Sequence, residues 1–227
     1  KLPLSHCLHV LNWNPMRAFK LCLGSLLFVL GSASATLAQS FKPAANPELV
    51  KSQIAKTAAS THSIQANFQE IRKMAVLKSE QFLEGVFYYK KSDQMRWQQT
   101  KPGSYIILIN GAQFRISEAG KEKNVGGASK MASQIRELMI GLVNGDFQHN
   151  KAFVQAISES NDQYQILLTP QQNRLKKRYE SINLRFSKST LRVKQITFIE
   201  KSGDQSILKF SNEKFNQEIS NSLFTAF

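Results

Sequence analysis

Cysteine is almost absent from this chain. Cys7 and Cys22 are the only two, both within the first 38 residues. Beyond them there is no disulfide to staple the fold and no thiolate to serve as nucleophile or metal ligand. Histidine is nearly as scarce, with only His62 and His149 after residue 38. Neither sits in an HExxH or Cys/His spacing, so no metal site is indicated. The sequence also lacks a GxSxG elbow, a P-loop and a GxGxxG fingerprint. Gly126-Gly127 reads as a hinge or helix lead-in rather than a phosphate cradle. Acidic residues are scattered singly; Glu80 and Glu84 share a strand face, but nothing marks them as a glycosidase pair. No catalytic residue, metal or cofactor is assigned, and an enzyme is not the expectation.

The apolar run Leu21–Leu30 (LCLGSLLFVL) is too short for a membrane-spanning helix. The basic Met16-Arg17-Ala18-Phe19-Lys20 precedes it, and small residues follow through Ala38. Together they predict a secretory signal peptide over 16–38, cut after Ala35 or Ala38, with residues 1–15 read as an over-extended reading frame. Cys22 has no small-residue lipobox before it, which argues against a lipoprotein. Residues 39–227 are then a single exported domain held by its core alone, which suits a bacterial periplasm at least as well as an animal extracellular space. Acid is the minority sign. The leader to Ala38 holds Lys1, Arg17 and Lys20 and no acid, so 27 basic residues face 16 acidic ones beyond it, a balance of +11. Such a charge often means nucleic acid, which an exported protein rarely meets; an anionic membrane or an acidic protein fits better. The densest cluster is Arg174, Lys176, Lys177 and Arg178.

What the chain has in plenty is β-strand signal. From Glu80 to Ile116, four aromatic and β-branched runs alternate with the turn signals Lys91-Ser92-Asp93, Lys101-Pro102-Gly103 and Asn110-Gly111, which predicts a meander of antiparallel hairpins with a type I′ turn at Asn110-Gly111. Ser63–Arg72 reads as the preceding strand, with Ile64, Ala66 and Phe68 in alternation. Five more strands are expected between Phe153 and Phe210. Asn46-Pro47-Glu48 predicts a helix start, and Leu49, Val50, Ile54, Ala55 and Ala58 form its apolar stripe. A second helix is predicted over Ser129–Asn144, carrying Met131, Ile135, Leu138, Met139 and Leu142. About eleven strands against two or three short helices predict one large curved antiparallel sheet in a mainly β (α+β) fold. Phe82, Val86 and Tyr88 lie on one pleat face, and Leu83, Phe87 and Tyr89 on the other. A sheet apolar on both faces is covered on one side by helices or encloses a cavity.

The run FQEIRK at 68–73, the segment GVFYYKKSDQMRWQQTKPGSYIILING at 85–111, LLTP at 167–170 and SGDQSILKFSNEKFN at 202–216 followed by Phe224 appear in that order. From about Pro47 to Phe227 they resemble the periplasmic outer-membrane lipoprotein carrier family (LolA). The resemblance implies an unclosed antiparallel β-barrel of about eleven strands with a helical lid over an apolar cavity. It implies a periplasmic chaperone that takes acylated lipoproteins from an inner-membrane lipoprotein-releasing transporter to an outer-membrane acceptor, as a monomer and without nucleic acid. Members of that family carry an Arg-Pro pair at a strand end whose arginine holds the lid. Here Lys91-Ser92 stand there, and lysine lacks the bidentate fork of arginine, so Lys91 or Arg96 is the candidate latch or partner contact. The candidate cavity and lid residues are Phe68, Phe82, Val86, Tyr88, Met95, Trp97, Ile107, Met131, Ile135, Leu138, Met139 and Leu142. The alternative is a related periplasmic module that binds another lipid or senses lipoproteins.

Overall fold

Alternating apolar strands joined by tight turns pair with their sequence neighbours, and this rule builds most of the described fold. The computed structural model describes residues 40–77, 79–91, 93–124 and 152–227. β1 (Lys42–Pro43) precedes α1 (Pro47–Ala59). One meander follows: β2 (Ser63–Lys73), β3 (Glu80–Lys90), β4 (Gln94–Lys101), β5 (Tyr105–Asn110), β6 (Gln113–Glu118) and β7 (Lys121–Lys123). The other is β8 (Phe153–Glu159), β9 (Gln163–Pro170), β10 (Tyr179–Ser187), β11 (Val193–Glu200) and β12 (Gln205–Phe215), with a short α2 (Asn173–Arg178) between β9 and β10. A 3-10 turn, Asn221–Phe224, lies near the C-terminus. These elements belong to one compact unit, Gln39–Phe227.

The twelve strands among the described residues form one antiparallel sheet, ordered β1-β8-β9-β10-β11-β12-β2-β3-β4-β5-β6-β7. The two meanders are joined by β12 lying against β2, with Phe210 opposite Phe68. The twelfth strand is the two-residue β1, inside a stretch whose composition reads only as an extended lead-in; it pairs Lys42 with Glu159. β12 runs five residues past its expected end at Phe210, because a register shift between Ser211 and Lys214 lets it keep pairing to Ile64–Gln65.

Local signals explain the element ends. The Asn46 side chain accepts a hydrogen bond from Leu49 N at 3.0 Å, and Pro47 takes the first turn of α1. Val50, Ile54 and Ala58 recur at helical spacing and are buried. The expected type I′ turn at Asn110-Gly111 is shifted by one residue. Asn110 is still in the ladder, opposite Gln113, and φ is positive at Gly111 (57°) but not at Asn110, as in a type II′ turn. The hairpin with two positive φ values is the next one, at Ala119 (50°) and Gly120 (75°).

The pleat separates two faces. One carries α1 and the main hydrophobic cluster, which runs from Ile157 on β8 to Ile109 on β5. On the other, the C-terminal segment lies over β4 and β5. Ile219 and Phe224 are buried there.

Candidate functional site

The inner face is built by register. Ile64, Ala66 and Phe68 of β2 alternate toward α1, and the pairings Ala66–Phe87 and Phe68–Gly85 place Leu83, Phe87 and Tyr89 of β3 beside them. Phe87 opposite Trp97 brings in Met95 and Trp97 of β4, and Trp97 opposite Ile107 brings in Ile107 and Ile109 of β5. On the far side, Leu208 and Phe210 of β12 lead to Ile196 and Phe198 of β11, and these to Ile182, Leu184 and Phe186 of β10.

Among the described residues, two cavities open in this face. The smaller, about 80 Å3, lies between Ile54 and Ala58 of α1 and Phe87, Phe186, Ile196 and Phe210 of the sheet. Arg192 and Glu213 also line it. The Arg192 guanidinium hydrogen-bonds the Thr61 hydroxyl and lies 4.0 Å over the Phe215 ring. Burial lowers its pKa from the usual arginine value, and the Glu213 charge opposes that shift. The larger cavity, about 180 Å3, is lined by Met95, Trp97, Ile107, Phe198 and Leu208, with Glu70, Arg72, Gln99, Tyr105 and Ser206. β5 and β11 are five steps apart in sheet order, roughly 24 Å on a flat sheet at about 4.8 Å per step. Ile107 and Phe198 nevertheless face one cavity, so the sheet is rolled into an open barrel. A chain of rings joins the two linings. Phe68 stacks on Trp97 with centroids 3.7 Å apart, and Phe87 lies 6.1 Å from Trp97 and 6.2 Å from Phe210.

Of the residues expected in the cavity wall, Met95, Trp97 and Ile107 line the larger cavity, and Phe68 is buried against Trp97. Phe82, Val86 and Tyr88 need correction. They project from the opposite pleat face, where Phe82 is 63% exposed. β3 is apolar on both faces, and only its register with β2 decides which one turns inward. Met131, Ile135, Leu138, Met139 and Leu142, the predicted helix that carries them, the leader and residues 1–15 lie outside the described residues.

The two latch candidates part company. Lys91 Nζ donates to the carbonyl of Ala59 at 3.1 Å, so it grips the last residue of α1, the helix over the smaller cavity. A cation there also meets the negative end of the helix, an interaction of about 0.3–1 kcal/mol. Lys91→Met is expected to lower the melting temperature by only about 1–3 °C; a larger drop in thermal unfolding would give Lys91 a role beyond this one contact. Arg96 stands on the outer face and, among the described residues, contacts no helix over the cavity. Its guanidinium donates to Leu223 O (3.0 Å), Ala226 O (2.6 Å) and Gln98 Oε1 (2.8 Å). Burial lowers its pKa, and the neighbouring Tyr88 opposes the shift. Arg96 is therefore a clasp for the C-terminal segment.

Phe198, Phe210, Glu70, Arg72 and Ser206 escaped the sequence reading. For Glu70 and Arg72 the signal was present, because the alternation Ile64, Ala66, Phe68 continues directly onto them. The basic cluster Arg174, Lys176, Lys177 and Arg178 is exposed on α2, with Arg178 paired to Glu200 at 3.4 Å. Among the described residues, no group of three or more His, Cys, Asp or Glu side chains could hold a metal ion, and no helix is long and apolar enough to cross a membrane.

A family model described as "Outer membrane lipoprotein carrier protein LolA" matches residues 59–226. No curated protein sequence matches. Solved structures that resemble the chain include a LolA superfamily protein from Nitrosomonas europaea, at 14% identity over 81% of this chain and 99% of that one, TM-score 0.42. Others are LprF from Mycobacterium bovis (13% identity, 78% and 96% coverage, TM-score 0.45) and the Pseudomonas aeruginosa MucA/MucB complex (12% identity, 78% and 60% coverage, TM-score 0.46).

Proposed function

This chain belongs to the outer membrane lipoprotein carrier family, LolA, and from that premise we propose that it carries acylated lipoproteins across the periplasm with their acyl chains held against the inner face of its open barrel. The donor is an inner-membrane lipoprotein-releasing transporter and the recipient an outer-membrane acceptor. One observation carries the reading: a rolled sheet whose inner face is mainly apolar from β10 to β5 and holds two cavities joined by aromatic rings.

Physical chemistry supplies the need. At about 0.8 kcal/mol per methylene, a sixteen-carbon chain in water costs on the order of 12 kcal/mol. It crosses an aqueous gap only when shielded, and the shield must still let go. Carriage breaks no covalent bond, so the role asks for a wall rather than a catalytic residue. The cavities suit a site that widens on loading. Swinging Phe68, Phe87, Trp97 and Phe210 apart would join the two.

The test is release of labelled lipoprotein from spheroplasts into the soluble fraction by purified protein. Ile107→Glu puts a charge into the wall of the larger cavity at a half-buried position, and is expected to cut release at least about tenfold at unchanged circular dichroism, since an unpaired carboxylate in an apolar wall is strongly disfavoured. Phe82→Glu, on the exposed outer face, should release cargo normally. Normal release by Ile107→Glu would sink the inner-face assignment. A wild-type protein that releases no lipoprotein but co-purifies with another lipid would keep the cavity and change the cargo.

A further inference from the structure

The larger cavity is not wholly apolar. Glu70 and Arg72 continue the inward alternation of β2, and Ser206 of β12 stands directly opposite Arg72. The Glu70 side chain is nearly buried while that of Arg72 is half exposed, which sets the arginine toward the mouth. The Glu70 carboxylate accepts from Arg72 Nε at 2.7 Å, Arg72 Nη2 at 3.1 Å and Ser206 Oγ at 2.6 Å. Taking a carboxylate out of water costs about as much as its ion pair returns, so such a pair is often no more stabilising than apolar side chains of the same volume. Stability alone therefore does not account for a carboxylate held so fully in a wall of Trp97, Phe198 and Leu208.

The donors are not all used. Arg72 gives Nε and one N–H of Nη2 to Glu70, so its Nη1 side of the guanidinium fork makes no hydrogen bond among the described residues. Tyr105 lines the same cavity, and its hydroxyl has no hydrogen-bond partner among the described residues. Burial pushes its pKa up, and both Arg72 and Glu118 are near enough for their charges to act on it. The site thus offers an apolar wall, spare donors at the mouth, and a cation already neutralised by Glu70. A neutral oxygen acceptor fits this balance. A free carboxylate would have to approach Arg72 beside the Glu70 carboxylate, against its charge.

We propose that Glu70, Arg72, Ser206 and Tyr105 form a polar end-site that receives the uncharged ester or amide carbonyl of an acylated ligand, with the chain laid along Trp97, Ile107 and Phe198. The end-site deepens the carrier reading and rests on it. It would make the cavity select acyl esters over free fatty acids.

Trp97 gives the readout, since it lines the cavity and the only other tryptophan is Trp13. A sixteen-carbon monoacylglycerol and the sixteen-carbon fatty acid are titrated against the purified protein at pH 7, following Trp97 fluorescence. The wild type is expected to bind the ester at least about tenfold more tightly, the scale set by opposing like charge near the site. Glu70→Gln removes that charge and leaves Arg72 unpaired, so the preference should shift toward the fatty acid by about tenfold or more. Tyr105→Phe removes one donor and little packing, and should weaken the ester alone by about three- to tenfold. It also keeps the idea open to refutation should Glu70→Gln fail to fold. Equal affinity for both ligands, or a preference that neither substitution moves, overturns the end-site and leaves the apolar cavity standing. Binding of neither ligand overturns both.

Discussion

Gly85→Ala is expected to destabilise the fold strongly although it adds only one methyl group. Gly85 sits in β3 on the inner face, opposite Phe68 and next to a register shift at Glu84. A Cβ there would come 2.0 Å from the carbonyl oxygen of Gln98 and 2.6 Å from Cζ of Phe68. The first atom is backbone in the neighbouring strand and cannot swing aside. The second belongs to a ring locked against Trp97 at 3.7 Å. One methyl would therefore separate β3 from β4 and displace the rings that join the two cavities. The loss is expected at about 3 kcal/mol or more, the upper part of the range for overpacked cores, or a melting temperature lower by about 6–12 °C in a domain of this size. Gly103→Ala is the control, with nothing within 4 Å of its added methyl, and should stay within about 0.5 kcal/mol of wild type. Combining Gly85→Ala with Phe68→Leu relieves only the ring clash, so little stability should return. A Gly85→Ala protein that melts with the wild type would show that strand and ring do not approach as closely as described.

The second large effect concerns the C-terminal clasp. Arg96 is 5% exposed, and its three partners are uncharged oxygens, two of them backbone carbonyls of the C-terminal segment. Arg115 adds a bond to Thr225 O at 2.7 Å and lies 4.4 Å from the Phe227 ring centroid. Lys90 holds Ile219 O and Asn221 Oδ1. These contacts seat Phe224, 1% exposed, whose burial is worth about 1.5–3 kcal/mol. Arg96→Met is expected to cost about 3 kcal/mol, since hydrogen bonds to a charged group contribute about 1.5–3 kcal/mol and two carbonyls lose their donor. Phe224→Ala should cost about 3–5 kcal/mol. Because either change frees the same segment, the double variant should lose clearly less than the sum of the two. Strict additivity in a thermal or denaturant cycle would mean that Arg96 and Phe224 act on separate parts of the protein. Limited proteolysis gives a second view: release should make the chain near residue 220 cleavable while the sheet stays intact.

Most of the fold was legible along the chain because antiparallel hairpins are local. Turn residues and two-residue alternation marked nearly every strand, and Asn46, Pro47 and Ile54 marked α1. The errors fall where a partner distant in sequence decides. β1 is two residues long and exists only because β8 offers its edge, more than a hundred residues away. β12 outruns its apolar pattern because β2 keeps pairing with it past a register shift.

The candidate site divides along the same line. The residues held no catalytic pattern, and the resemblance to the LolA family implied an apolar cavity and named Phe68, Met95, Trp97 and Ile107 for it, all of which stand on the inner face. Which face of β3 turns inward was beyond the sequence. Phe82, Val86 and Tyr88 are as apolar as Leu83, Phe87 and Tyr89, and a slip of one residue exchanges the two sets. The pairing of Phe68 with Gly85 settles it, since only a residue without a Cβ fits beneath that ring. Arg96 was likewise visible as an arginine in an aromatic strand, but its role depends on a segment about 130 residues further on. Local propensity and alternation determined the strands; the pleat face, the rolled sheet and the polar mouth of the larger cavity were decided by pairings between residues far apart in sequence.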